Sequence, residues 1–362
     1  MVLITKLEPL TMNSFEIGEL SELDLYDIQG VLLLSKGKPI TTKIHELLLQ
    51  RKLYTLQYDL ENSHPPNEER RFPSSEYRFI VGYVRKVFES VCLFSSTRLI
   101  DSFAIVDKII NELEGNSRVY IDFNEFRNFD NYTYIHSVNV ALLATLVGLK
   151  MGFSGQKLRT LSMGAMFHDL GKSSLPLEIL NKPSGLNREE FTIIKKHPEM
   201  GEEMLKYSNI SKEILSIVRH HHERWNGEGY PDGLRQRAIT TNAQIVAVAD
   251  VFDALVADRP YRKGLPPYHA LEIIVAGSGK DFDQEIVHCF EQCLILYPQG
   301  SIVTLNTGEM GTVVGIHYNY PSRPLIRIFF DKNGKFVNEE LICDLLKDLT
   351  RFVQSVSFNH VT

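Results

Sequence analysis

Histidines and aspartates recur through the middle of this chain in pairs suited to holding metal ions. His168-Asp169 comes first, then His197, then His221-His222, then Asp250. The segment Trp225-Asn226-Gly227-Glu228-Gly229-Tyr230-Pro231 follows the histidine pair. Imidazole nitrogens mixed with carboxylate oxygens suit Fe, Mn or Zn better than Ca. Adjacent His-Asp and His-His pairs are hard to explain by packing, so the set points to a metal-dependent hydrolase.

Each donor must be aimed by a local element. His168-Asp169 closes an apolar stretch, Leu161–Phe167, expected to be helical, and Gly171 and Lys172 follow at once. A helix end can aim two adjacent side chains into one cavity more easily than mid-helix positions can. The two could then serve different metals, with Asp169 bridging. Asp250 sits in the apolar run Val246–Ala254, where a carboxylate is costly to bury unless paired or metal-bound. A capping or salt-bridged aspartate is the alternative. His220 makes a run of three histidines with His221 and His222, of which two are expected to face inward.

At 362 residues and 43% hydrophobic content, the chain is long enough for two or three domains with a sizeable core. Its net charge of −6, with both signs interspersed, argues against binding a DNA or RNA polymer. Cys92, Cys289, Cys293 and Cys343 form no CxxC pair and read as small buried hydrophobes in a reducing compartment. No targeting signal and no apolar run of the ~20 residues a bilayer requires is visible. The expectation is a cytoplasmic protein without membrane insertion.

The periodicity divides the chain into parts. Residues 1–60 read as a small α+β module: a hairpin through Leu25–Leu34, a helix capped by Thr41-Thr42, and a strand over Leu53–Tyr58. Residues 61–75 are polar and proline-containing, as linkers are. Residues 76–297 are mainly helical, with helices expected over Phe79–Phe94, Phe103–Leu113, Val138–Met151, Arg188–His197, Met200–Leu205, Lys212–His222, Ala243–Ala257, Pro267–Val275 and Asp283–Tyr297. Residues 298–362 change to period two, with strands over Ser301–Leu305, Gly311–Ile316 and Leu325–Phe330. A closing helix is expected over Glu339–Phe352. The fold class is therefore mainly α, an all-helical core with a small α+β N-terminal module and a small β-rich C-terminal module.

From His136 to Phe282 the chain resembles the HD-GYP family, a branch of the HD-domain phosphohydrolases. The resemblance is carried by His136-Ser137-Val138-Asn139, Phe167-His168-Asp169-Leu170-Gly171-Lys172, Lys196-His197-Pro198, His221-His222-Glu223, Gly229-Tyr230-Pro231, Val248-Ala249-Asp250-Val251-Phe252-Asp253 and Asp258-Arg259-Pro260-Tyr261-Arg262. It implies hydrolysis of cyclic di-GMP to linear pGpG, in some members onward to GMP, by a metal-bridged hydroxide. The implied metal is Fe, two per chain with three as the alternative, or else Mn. The implied ligands are His168, Asp169, His197, His221, His222 and Asp250. His136 matches a further ligand of three-metal members, or stands one step back from the metals. Those members carry a Glu one turn earlier, where this chain has Tyr132. A phenol is a poorer ligand than a carboxylate, which favours two metals. Asn226 stands where many members have Asp.

For catalysis the expectation rests on Asp169 as bridge and on Lys172, whose ammonium suits a phosphate oxygen or the leaving group; a surface lysine is its plain alternative. Arg259 and Arg262 suit the second phosphate, or else pair with Asp253 or Asp258. Tyr230 either contacts the ligand or braces the histidine segment. Lys182-Pro183-Ser184-Gly185 reads as a surface loop over the site. The competing readings are a catalytically weak or inactive cyclic di-GMP receptor, and a phosphodiesterase for another cyclic dinucleotide such as 3′,3′-cyclic GMP-AMP. A homodimer is left open.

Overall fold

The protein is described here from a computed structural model. The structure describes residues 3–9, 16–21, 25–27, 32–34, 37–50, 53–59, 69–91, 97–114, 118–120, 132–180, 182, 184–208, 210–257, 263–317 and 319–357. The chain divides into two units, Met1–Asn67 with Ile295–Thr362, and Glu68–Leu294.

In the first unit, strands β1 (Leu3–Pro9), β2 (Leu25–Asp27), β3 (Leu32–Leu34) and β4 (Leu53–Asp59) form an antiparallel sheet in the order β1-β4-β2-β3, with helix α1 (Thr42–Gln50) between β3 and β4. Thr41 Oγ1 accepts from the Ile44 N–H at 3.3 Å at the start of α1, as helix-capping threonines do.

The C-terminal part of this unit is a five-stranded antiparallel sheet. Strands β7 (Ile302–Leu305), β8 (Met310–Gly315), β9 (Leu325–Phe330), β10 (Phe336–Asp344) and β11 (Val353–Ser357) lie in the order β10-β9-β8-β7-β11. Alternation on β9 buries Ile326, Ile328 and Phe330, the mark of a strand with one face on a core. The helix expected over Glu339–Phe352 is not there. β10 runs to Asp344, pairing Leu341 with Ile328 and Ile342 with Arg327. The apolar positions that suggested a helix do not share a buried face: Leu345 is buried, while Leu349 and Phe352 are exposed. Pairing with β9 overrides a chance spacing.

The second unit opens with strand β5 (Glu69–Arg71), inside the stretch expected to be linker. It pairs in parallel with β6 (Arg118–Tyr120), a strand too short for its alternation to be read. Among the described residues eleven α-helices follow β5, of which the first ten are α2 (Ser74–Val91), α3 (Thr97–Leu113), α4 (Tyr132–Lys150), α5 (Gly155–Phe167), α6 (Leu177–Leu180), α7 (Arg188–Ile194), α8 (His197–Leu205), α9 (Lys212–His220), α10 (Thr241–Val256) and α11 (Pro267–Ala276). The last is α12 (Gln284–Cys293). α4 is the central rod, packed against α2, α5, α10 and α12. Val138, Val140, Leu142, Leu143, Leu146 and Val147 on it are all buried, each contributing about 1.5–3 kcal/mol on leaving water.

The single helix expected over Arg188–His197 is broken. α7 stops at Ile194, and His197 opens α8 with Pro198 in its first turn. Proline lacks the N–H that a helix interior needs but loses nothing in a first turn. α9 ends at His220, so His221 caps the helix and His222 lies beyond it. α12 ends at Cys293, short of the expected Tyr297. Gly171 lets the turn after Asp169 pack onto the start of α8, because a Cβ there would stand 2.0 Å from the His197 carbonyl oxygen. Among the described residues no helix is long and apolar enough to cross a membrane.

Candidate metal centre

Five local structures converge in the second unit. α4 brings His136, the end of α5 brings His168 and Asp169, the start of α8 brings His197, the end of α9 brings His221 and His222, and α10 brings Asp250. Two groups of donor atoms result, each within 4.8 Å of one another: Asp169, His197, His221 and His222, and then His136, His168 and Asp250. All are buried except His222, which is partly so.

Asp169 spans both groups. Its Oδ1 lies 3.2 Å from His197 Nε2 and 3.9 Å from His221 Nε2. Its Oδ2 lies 3.4 Å from His168 Nε2 and 3.5 Å from His136 Nε2. Asp250 reaches both sides too, with Oδ1 at 3.1 Å from His136 Nε2 and Oδ2 at 3.6 Å from His222 Nδ1. His220 faces elsewhere, its Nε2 lying 2.9 Å from Asp232.

Three of the histidines are oriented by their own backbone. His168, His197 and His221 each place Nδ1 at 2.8 Å from the carbonyl three residues back, on Ala165, Ile194 and Val218. A carbonyl only accepts, so Nδ1 carries the proton and Nε2 offers its lone pair. His197 and His221 then face each other, Nε2 to Nε2, at 3.2 Å. Asp169 Oδ1 sits beside them, buried and without a hydrogen bond. When both rings are neutral, two lone pairs and an anionic oxygen at such range repel unless a cation, a metal ion or a proton, lies among them. Two nitrogens each about 2.1 Å from one ion stand about 3.0–3.4 Å apart, so these residues fit a metal.

The charges agree. Burial works against the Asp169 carboxylate, but Lys172, His168 and His197 hold it well below the usual carboxylate range. Burial likewise opposes Asp250, and His136 and His222 outweigh it. Burial and neighbouring imidazoles push His221 down. Burial also pushes His222 down, against the pull of Asp250. Both are therefore neutral and able to ligate. His136 differs: burial lowers it, yet hydrogen bonds to Asp250 and Asp253 raise it to about 9. Without metal a proton occupies that position.

Lys172 donates to Asp169 Oδ2 at 2.6 Å and stays partly exposed. The Tyr230 ring stacks on the His222 ring at 4.7 Å and 29°. Burial first, then Asp250, keeps it a phenol. Asn226 closes its own turn by accepting from the Glu228 N–H at 3.0 Å. Lys182 bonds both oxygens of Glu190 at 2.8 and 2.7 Å, tying the loop before α7. Arg259 and Arg262 lie outside the described residues.

Several supporting residues carry no metal-site signal of their own. Buried Glu223 accepts from the Asp232 and Leu234 N–H groups at 2.7 and 2.9 Å and so folds the 224–234 loop back beneath the histidines. Asp253 bonds His136 Nδ1 at 2.7 Å and accepts from Asn139 at 2.8 Å. Spacing held a clue to these two, since Asp253 and Asn139 each lie three residues beyond a candidate ligand, on the same helix face.

The chain has relatives. Residues 123–286 match the HD domain family, and residues 302–360 match a KOW domain associated with the HD domain. A cyclic di-GMP phosphodiesterase of Pseudomonas aeruginosa is 32% identical over 242 residues, 67% of this chain and 58% of that protein. A cyclic di-GMP phosphodiesterase response regulator of Xanthomonas campestris pv. campestris is 43% identical over 148 residues, 40% of this chain and 39% of that one. A 3′3′-cGAMP-specific phosphodiesterase of Vibrio cholerae is 34% identical over 160 residues, 43% of this chain and 30% of that one. The chain thus spans little more than half, or less, of the length of these relatives. Every one of the clustered donors falls inside the segment that matches the family, and the chain belongs to the HD domain family, in its HD-GYP branch.

Proposed function

We propose that this chain is a metal-dependent phosphodiesterase that hydrolyses cyclic di-GMP to linear pGpG in the cytoplasm. The observation that carries the reading is the bare, buried Oδ1 of Asp169 between two facing imidazole lone pairs. Asp169, His197, His221 and His222 would hold one ion, and His136, His168 and Asp250 the other, with Asp169 bridging. His136 is then a full ligand of a two-metal centre rather than the mark of a third ion. Mixed imidazole and carboxylate donors suit Fe, with Mn as the alternative.

Bound metal would supply a water activated near neutral pH and positive charge toward the phosphate oxygens. The protein's own groups do the rest. Asp169 fixes the spacing of the two halves. Lys172, partly exposed beside Asp169, offers its side-chain nitrogen to a phosphate oxygen or to the departing 3′ oxygen. Tyr230, stacked on His222, holds that imidazole in place. Arg259 and Arg262 remain our candidates for the second phosphate.

The test is anaerobic purification, metal analysis and chromatography of products after incubation with cyclic di-GMP. About two Fe or Mn per chain with pGpG accumulating is the expected result. Metal with tight binding but no turnover would defeat the enzymatic reading. The similarity to a 3′3′-cGAMP-specific relative favours a second substrate, and competition between the two dinucleotides decides which is preferred.

A further inference from the structure

His136 is the one candidate ligand on α4, and its orientation is set unlike that of the backbone-held histidines. Its Nδ1 donates to Asp253 Oδ2 at 2.7 Å. Asp253 Oδ1 accepts from Asn139 Nδ2 at 2.8 Å. Asn139 Oδ1 in turn accepts from the Tyr77 hydroxyl at 2.6 Å. Tyr77, Asn139, Asp253 and His136 are all buried. The chain of bonds crosses α2, α4 and α10. It starts outside the segment 123–286 that matches the HD domain.

Its direction is fixed. A carboxylate only accepts, so Asp253 holds the Asn139 amide with its nitrogen inward and its oxygen toward Tyr77. That oxygen needs a donor. Tyr77 supplies one, because burial first, then the charge on Asp253, raises its phenol well above its ordinary value. The conformation of Asp253, and with it the ring of His136, is thereby anchored on α2. Groups hydrogen-bonded behind a metal-ligating histidine fix its tautomer and ring plane.

We propose that Tyr77 is a positioning residue for the His136 ligand, acting through Asn139 and Asp253. This rests on the metal-centre reading above. The first helix of the second unit is then a working part of the metal centre and not only a packing element.

The experiment titrates the metal-free full chain with Mn2+ under anaerobic conditions and follows bound ion by calorimetry and electron paramagnetic resonance. His136→Ala marks which binding step belongs to that ligand. Tyr77→Phe removes only the hydroxyl and is expected to weaken that step by about 5-fold, below the range of about 10- to 100-fold for groups bonded directly to a ligand. The other step should stay within about twofold of its wild-type value, the resolution of such titrations. Ile80→Val, one turn along α2 and fully buried, is the control: it should lower the metal-free Tm yet leave both steps unchanged. Tyr77→Phe binding like the wild type, or both variants weakening binding alike, overturns the proposal while the metal centre stands. A wild-type chain that binds no Mn2+ overturns the metal centre and the proposal with it.

Discussion

The helical second unit and the C-terminal sheet both bury aliphatic side chains, yet among the described residues only the helical unit buries ionisable imidazoles and carboxylates. In β7 to β9 the buried polar groups are hydroxyls such as that of Thr312. At the centre of the helices lie His136, His168, Asp169, His197, His221, Glu223, Asp250 and Asp253. Burying ionisable groups is costly unless something compensates. Glu223 and Asp253 are compensated within the protein, by backbone N–H groups and by His136 and Asn139. Asp169 Oδ1 is not. The sheet leaves a neutral hydroxyl, Thr312 Oγ1, without a partner, whereas the helical core leaves an anionic oxygen, which calls for a cation.

The comparison can be broken most directly at Asp169. Asp169→Ala should abolish metal binding and cut turnover by on the order of 10^3-fold or more. The Tm of the metal-free protein should fall as well, because Lys172 and the imidazoles that hold the carboxylate ionised lose their partner. A variant that retains both ions would sink the bridging role.

Acidity separates the two regions next. In the metal-free chain His136 titrates at about 9, above its unfolded value. Its contribution, on the order of 3 kcal/mol, is complete below about pH 6.5 and is lost as pH rises through 9. His221 and His222 are pushed the other way, so they oppose folding as pH falls below about 6.5. Asp169 and Asp250, held low, contribute above the ordinary carboxylate range and lose that contribution in acid. Metal-free Tm should thus peak near pH 6.5, and bound metal should erase the alkaline arm by displacing the His136 proton. Thermal scans across pH with and without Mn2+ check this; an alkaline arm that persists with metal bound counts against His136 as a ligand.

A smaller effect is expected at Glu223. Glu223→Gln replaces a carboxylate that receives two backbone N–H bonds, at a cost of about 1–3 kcal/mol. Turnover should fall with it, as the 224–234 loop loosens beneath His221 and His222. Unchanged denaturant midpoint and unchanged activity would mean the loop holds itself. The smallest effect belongs to the sheet. Ile326→Val should cost about 0.5–1.5 kcal/mol and leave metal affinity untouched; a shift in affinity would mean that the sheet is coupled to the centre.

Much of this was legible beforehand. The change of period near residue 298, the buried circumference of α4 and the order of histidines and aspartates are all properties of side-chain type and spacing. The helix expected over Glu339–Phe352 shows the limit, since pairing with β9 is a non-local event that no local period records. Within the candidate site, residue types named the donors but not which atom of each is free. His168, His197 and His221 come closest to being self-determined, because each is oriented by a carbonyl three residues back in its own chain.

What the sequence determined by itself was therefore the inventory: mostly helices, a β-rich end, and an ordered set of imidazoles and carboxylates with the types that borderline metals take. The tertiary structure decided everything that depends on distant residues meeting. It turned Asp169 to face both groups, sent His220 to Asp232, and opened a new helix at His197. It also placed Tyr77 behind His136 through two intervening side chains. Hydrogen bonds and lone pairs act over about 3 Å, and only the packing of α2, α4, α5, α8, α9 and α10 brings residues this far apart in sequence within that range.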